Sequence, residues 1–157
     1  MIRNVLIALD ASERAPGVFQ MGTEVARRFG ARVWVVRVIS LPQEFPPAAH
    51  VAHGDPLPAH LEKLALDDLH AFVARAIDLE VAPPLVRSGQ PWRKILETAE
   101  ELDADLIVLG SHGYHGLDRV LGTTAAKVAN LALRHVFVVH NRYLPGRDST
   151  SAGKGAA

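Results

Sequence analysis

Between residues 105 and 132 the chain reads DLIVLGSHGYHGLDRVLGTTAAKVANLA, and the residue types and spacings there suit the binding of an anion. A short apolar run with β-branched residues predicts a strand over 105–109. Glycines follow at Gly110, Gly113 and Gly116. A helical pattern resumes after Gly122-Thr123-Thr124, with Ala125, Val128, Ala129 and Ala132 on one face. Strand, glycine-rich loop and helix N-terminus together can hold a phosphate. Glycines let backbone N–H groups come close to an anion, and the first turn of a helix has unsatisfied donors and a partial positive charge. Thr123 and Thr124 add hydroxyl donors at that turn. The plainer alternative is an ordinary strand-to-helix connection with threonine caps. No Gly-Lys-Ser/Thr occurs, so this is not a Walker loop. Gly110-x-x-Gly113-x-x-Gly116 is also spaced unlike the dinucleotide fingerprint, and it lies late in the chain.

The elements that must position this stretch are legible before it. NVLIAL over 4–9 is a continuous apolar run, as expected of a strand buried on both faces. Ser12 predicts a helix N-cap, the helix running over about 13–29 with Val18, Gly22, Val25, Ala26 and Phe29 facing in and Gly30 ending it. RVWVVRVI over 32–39 predicts a second strand. The segment 40–58 is rich in proline, which forbids a continuous helix or a central strand. It and the following turn carry His50, His53 and His60, which a metal could use but which are more simply solvated. An amphipathic helix is expected over 61–79, with Glu62, Asp67, Asp68 and Arg75 on a solvated outer face. A third strand is expected over 81–87, at a sheet edge because of Pro83-Pro84. Gly89-Gln90-Pro91 opens a third helix with Trp92, Ile95, Leu96, Ala99 and Leu102 as its inner stripe. HVFVVH over 135–140 makes a fifth strand, and the polar, glycine-rich tail from residue 144 is expected to be disordered.

Composition narrows the class. A chain of 157 residues with 48% apolar residues suits one domain with a proper core. Lysine plus arginine equals aspartate plus glutamate, 17 each, which argues against a generic electrostatic nucleic-acid binder. Without cysteines, disulfides and thiolate metal sites are excluded. No apolar run has the length of a membrane span, and the opening reads as a strand, so a cytoplasmic protein with no membrane partner is expected.

Alternating strands and helices imply a parallel sheet covered on both faces. Ligands of such sheets bind beyond the carboxyl ends of the strands, where the strand order reverses. In the order 3-2-1-4-5 that point lies between strands 1 and 4, so Asp10 and the glycine loop would share one crevice. Asp10 then suits a ribose hydroxyl or a base edge. Its alternative is a polar cap on the helix that follows.

The opening VLIALDAS, the strand ending at Val38, the Gly89-x-Pro91 turn, DLIVLGSHG and the closing VFVV resemble the universal stress proteins of the nucleotide-binding kind, over nearly all of residues 1–141. That family's ATP signature is G-x-x-G, nine residues, then G-Ser/Thr. Gly110-Ser111-His112-Gly113 matches its first part and Gly122-Thr123 its last, with eight residues between them. Arg134-His135 stands where the family often has a proline before the last strand. The resemblance implies a Rossmann-like three-layer sandwich of the adenine nucleotide alpha-hydrolase-like type over 1–143, with a five-stranded parallel sheet in the order 3-2-1-4-5. It implies that Ala8, Leu9, Asp10 and Val38 contact adenine or ribose. Leu109 closes the strand beneath the loop, and Gly110, His112, Gly113, Gly122, Thr123 and Thr124 hold the phosphates. The ligand implied is ATP, alone or with Mg2+, and the assembly a homodimer through the last strand.

Three functions follow. The first is a binding and signalling module for adenine nucleotide. The second is an enzyme that hydrolyses or transfers phosphate, for which turnover needs a metal-held carboxylate and a positioned base or cation. Asp10, Asp118, His112, His115 and Arg119 are the candidates near the loop, which holds no lysine, and none is assigned as catalytic. The third is a nucleotide-free interaction protein, which the retained glycines oppose.

Overall fold

The computed structural model describes residues 1–40, 57–76, 78–111 and 121–140. In chain order these form β1 (Asn4–Ala8), α1 (Ala15–Phe29), β2 (Arg32–Ile39), α2 (Leu57–Val73), β3 (Leu85–Ser88), α3 (Pro91–Glu101), β4 (Leu106–Gly110), α4 (Thr123–Leu131) and β5 (His135–Val139). The five strands make one parallel sheet in the order β3-β2-β1-β4-β5. β1 lies at the centre, and Val5, Leu6 and Ile7 are wholly buried there, as an apolar run covered on both faces requires. Successive residues point to opposite faces. Val5, Ile7, Leu9, Val33, Val35 and Val108 meet α1 and α2 on one side. Leu6, Val36, Ile107 and Leu109 meet α3 and α4 on the other. The result is the three-layer sandwich expected from the sequence.

Two glycines have specific work in this packing. A Cβ on Gly22 would lie 2.5 Å from Ile7 Cδ1, so only glycine lets α1 settle this closely on β1. Gly89, with φ +136°, turns the chain from the end of β3 into α3 in a conformation that side chains disfavour.

Several expected boundaries move. α1 begins at Ala15 with Arg14 as its N-cap and no side-chain cap bond, so Ser12 is not the cap. The Ser12 hydroxyl instead accepts the Arg14 N–H at 3.3 Å within the preceding turn. Phe29, expected inside, is 53% exposed, and Leu64 of α2 is 52% exposed. α2 starts at Leu57 and admits Pro58 in its first turn, where no N–H is needed. It ends at Val73, and tighter i−3 bonds, such as Ala76 N–H to the Val73 carbonyl, carry the chain onward. The third strand is shorter than expected. Val81 makes a single parallel bridge with Val33, and β3 begins only after Pro83-Pro84, whose missing donors interrupt the ladder. β3 is nevertheless an edge, as those prolines require. On α4, Ala125 and Val128 are buried but Ala129 is exposed. The tail expected from residue 144, and His50 and His53, lie outside the described residues.

Candidate functional site

The strand order reverses between β1 and β4, the topological switch point of the sheet. Their register sets Ala8 beside Leu109, with Val36 on the other flank of Ala8. β1 and β4 therefore finish level with one another, at the place where ligands of such sheets bind in a crevice beyond the strand ends. The Leu9 N–H still donates to the Val36 carbonyl at 2.9 Å, so the ladder runs one residue past the strand before the chain departs. The Leu9 side chain is buried against the α1 face. Ala8, Val38 and Leu109 instead lie on the α3/α4 face, where Leu109 is buried and Ala8 and Val38 are half-buried.

Asp10 is exposed at the mouth of this crevice. Its Oδ1 accepts the Ser12 N–H at 3.1 Å and the Ser12 hydroxyl at 2.6 Å. This turn holds Ser12 ahead of α1, where its hydroxyl oxygen accepts from Arg14 N–H and not from an N–H of the helix's first turn. Asp10 thus has the structural role open to it in the sequence, while Oδ2 has no partner among the described residues and remains available to a ligand.

The glycine loop is anchored at both feet. Ser111, buried to 1%, donates its N–H to the Val139 carbonyl of β5 at 2.9 Å. Its own carbonyl accepts the Gly122 N–H at 2.7 Å. Gly122 caps α4, and the first bond of that helix runs from Ala126 N–H to the Gly122 carbonyl. The N–H groups of Thr123, Thr124 and Ala125 have no acceptor among the described residues. Thr123 is exposed and Thr124 half-buried, so the donor set at the head of α4 is accessible. No acidic side chain stands in that first turn to compete with an anion. At Gly110 an added Cβ would lie 3.3 Å from Val18 Cγ2, a tight fit against α1. His112 and Gly113, with His115, Asp118 and Arg119, lie outside the described residues.

The structure therefore brings Ala8, Leu9, Asp10, Val38, Leu109, Gly110, Gly122, Thr123 and Thr124 to the carboxyl end of the sheet. Among the described residues no group of three or more His, Asp or Glu is placed to hold a metal. Ser111 lies within the Gly110-x-x-Gly113 pattern but was not singled out in it; its backbone joins β5 to the head of α4. Arg37 did leave a sign, as a charge inside an apolar strand. It is buried, and its Nη1 donates to Asp68 Oδ2 of α2 at 2.6 Å. Asp68, expected on a merely solvated face, is therefore a docking contact.

The fold defines a doubly wound α/β protein with a strand-to-helix connection at its switch point. A model of the universal stress protein family matches residues 1–140, and the chain belongs to that family. It is 31% identical over 141 residues to universal stress protein A homolog 1 of Coxiella burnetii, covering 87% of this chain and 95% of the relative. Among solved structures it is similar to the universal stress protein UspA from Lactobacillus plantarum, with a TM-score of 0.70, 24% identity, and coverage of 88% and 98% of the two chains. It is also similar to the universal stress protein from Archaeoglobus fulgidus in complex with dAMP, with a TM-score of 0.60, 25% identity, and coverage of 88% and 98%. Among the described residues no helix is long and apolar enough to cross a membrane.

Proposed function

We propose that this protein binds ATP in the crevice between β1 and β4 and acts as a dimeric stress-response or signalling module in the cytoplasm, where ATP is available. The observation that carries this function is the donor set at the head of α4. Three backbone N–H groups without acceptors and two threonine hydroxyls are fixed to the end of β4 through the Gly122–Ser111 bond. Such a set, beside a crevice at the switch point, suits phosphate. The dAMP complex of the Archaeoglobus relative supports an adenine ligand. Asp10, Ala8, Leu9 and Val38 take the nucleoside. Leu109 and Gly110 floor the site, and His112, Gly113, Gly122, Thr123 and Thr124 take the phosphates. A Mg2+ ion would arrive on the phosphates of ATP as part of the ligand.

Mass spectrometry of the small molecule released from purified, heat-denatured protein tests the ligand directly, with an adenine nucleotide as the expected product. Gly113→Val should weaken ATP binding by at least roughly tenfold in calorimetry, because a side chain there blocks close backbone approach. A variant that binds ATP as well as the parent does would move the site elsewhere. The dimer is supported by β5, which among the described residues pairs with β4 alone and leaves its other edge unpaired. Beside that edge Leu133 is 99% exposed, Leu131 53% and Phe137 37%.

A further inference from the structure

α3 packs on β2, α4 packs on β5, and the two helices touch. The seam between them therefore runs over β1 and β4, the strands that part at the crevice. Trp92 stands in the first turn of α3, at the level of the strands' carboxyl ends, and packs on the same cluster as Ala8, Val38 and Leu121. Two cations flank its ring. Arg93 Cζ lies 5.4 Å from the ring centroid, and Lys127 Nζ reaches across from α4 to 5.3 Å. Both residues are exposed, and neither has a carboxylate partner among the described residues.

This arrangement gathers positive charge at the heads of two helices. Arg93 is in the first turn of α3 and Lys127 about one turn into α4, and both helix heads already carry partial positive charge. Neither first turn holds an acid to offset it. An exposed cation over an indole is held only weakly, so an ammonium can leave the ring for a stronger anionic partner. A polyanion in the adjacent crevice supplies that partner and neutralises the helix heads as well.

Resting on the adenine-nucleotide function proposed above, we infer that Lys127, parked over Trp92 with Arg93 beside it, forms a cationic wall that meets the outer phosphates and grades adenine ligands by phosphate number. Lys127 is the discriminating residue and Trp92 its resting place. Adenosine, which lacks phosphates, has nothing for this wall to recognise.

The test uses the full chain and the series adenosine, AMP, ADP and ATP, with affinities measured by calorimetry. Lys127→Gln should lower ATP affinity roughly five- to tenfold and leave adenosine affinity unchanged. Lys127→Arg, which keeps the charge, should restore most of the loss. In a Trp34→Phe background, where Trp92 is the one remaining tryptophan, its emission should change on adding ATP and stay constant with adenosine. An ATP-to-adenosine affinity ratio that Lys127→Gln leaves at the parent value overturns the inference, as does an equal loss for both ligands. A folded parent that binds no member of the series overturns the nucleotide function itself, so the two failures are distinct.

Discussion

Asp10 gives one carboxylate oxygen to the turn that leads into α1 and leaves the other at the mouth of the crevice. A carboxylate so placed can accept from hydroxyl or amine donors of a nucleoside, the role proposed for it above. Asp10→Ala should lower the affinity for adenosine and ATP by the same factor, roughly tenfold, in calorimetric titrations. Normal binding with the loss of a measurable hydrolysis rate would make Asp10 a catalytic base instead. At the opposite end of the sheet, Asp105 Oδ2 accepts the N–H groups of Arg3 at 2.7 Å and Asn4 at 2.9 Å, tying the start of β1 to β4. These two bonds hold the Asp105 carboxyl below the ordinary carboxylate range. A folded pKa below the unfolded one means that the stabilisation is present at neutral pH and is lost as pH falls through the acid range below about 4. The difference in urea midpoint between parent and Asp105→Ala should therefore be largest near pH 7 and shrink toward pH 3. A difference that does not depend on pH would show that the two N–H bonds do not act through the ionised carboxylate.

The docking of α2 depends on an asymmetric ion pair. Arg37 has a side chain 6% exposed and Asp68 one 59% exposed, and Arg37 Nε and Nη2 are buried without partners. Removing the acid leaves a buried cation uncompensated, whereas removing the cation leaves a carboxylate that water can reach. Asp68→Ala should cost about 1–3 kcal/mol in chemical denaturation, and Arg37→Met should stay within about 1 kcal/mol of the parent. Equal losses from both variants would contradict this account. Elements of this fold were readable wherever one signal dominated. The apolar runs of β1 and β2 and the helical stripe of α3 have the expected faces, because burial on a sheet leaves side chains little choice. Boundaries moved where a local hydrogen bond or a proline competed with periodicity, as at Ser12, Pro58 and Pro83-Pro84. The switch point was readable because it follows from strand order, which sets the ends of β1 and β4 side by side across a hundred residues of chain. The Arg37–Asp68 pair was not, because no local pattern says which carboxylate a buried guanidinium will find.

At the scale of the molecule, the edge of β5 that is unpaired among the described residues is the feature most suited to a second copy of the chain. Val136 and Val138 pack on the protein's own α3/α4 cluster, while His135 and Phe137 are exposed. A charge at Val138 therefore attacks the fold as well as the edge, and Phe137 is the cleaner probe. The parent should sediment as a dimer at micromolar concentration, and Phe137→Asp should sediment as a folded monomer because a charge at the contact must be desolvated without a partner. A parent that stays monomeric at that concentration removes this edge as the interface. Ser111 lies between edge and site, bonded to β5 on one side and to the head of α4 on the other.

The 2.7 Å bond between Gly122 and Ser111 has one more consequence. It staples the two feet of the glycine loop, so the segment between them is a short polymer whose ends are already joined. Adding or removing one residue in such a ring changes its closure entropy by only about 0.1 kcal/mol. Eight residues between Gly113 and Gly122, against nine in the family signature, then change the closure cost little. One glycine inserted after Gly116 should therefore leave the melting temperature within about 1 °C of the parent.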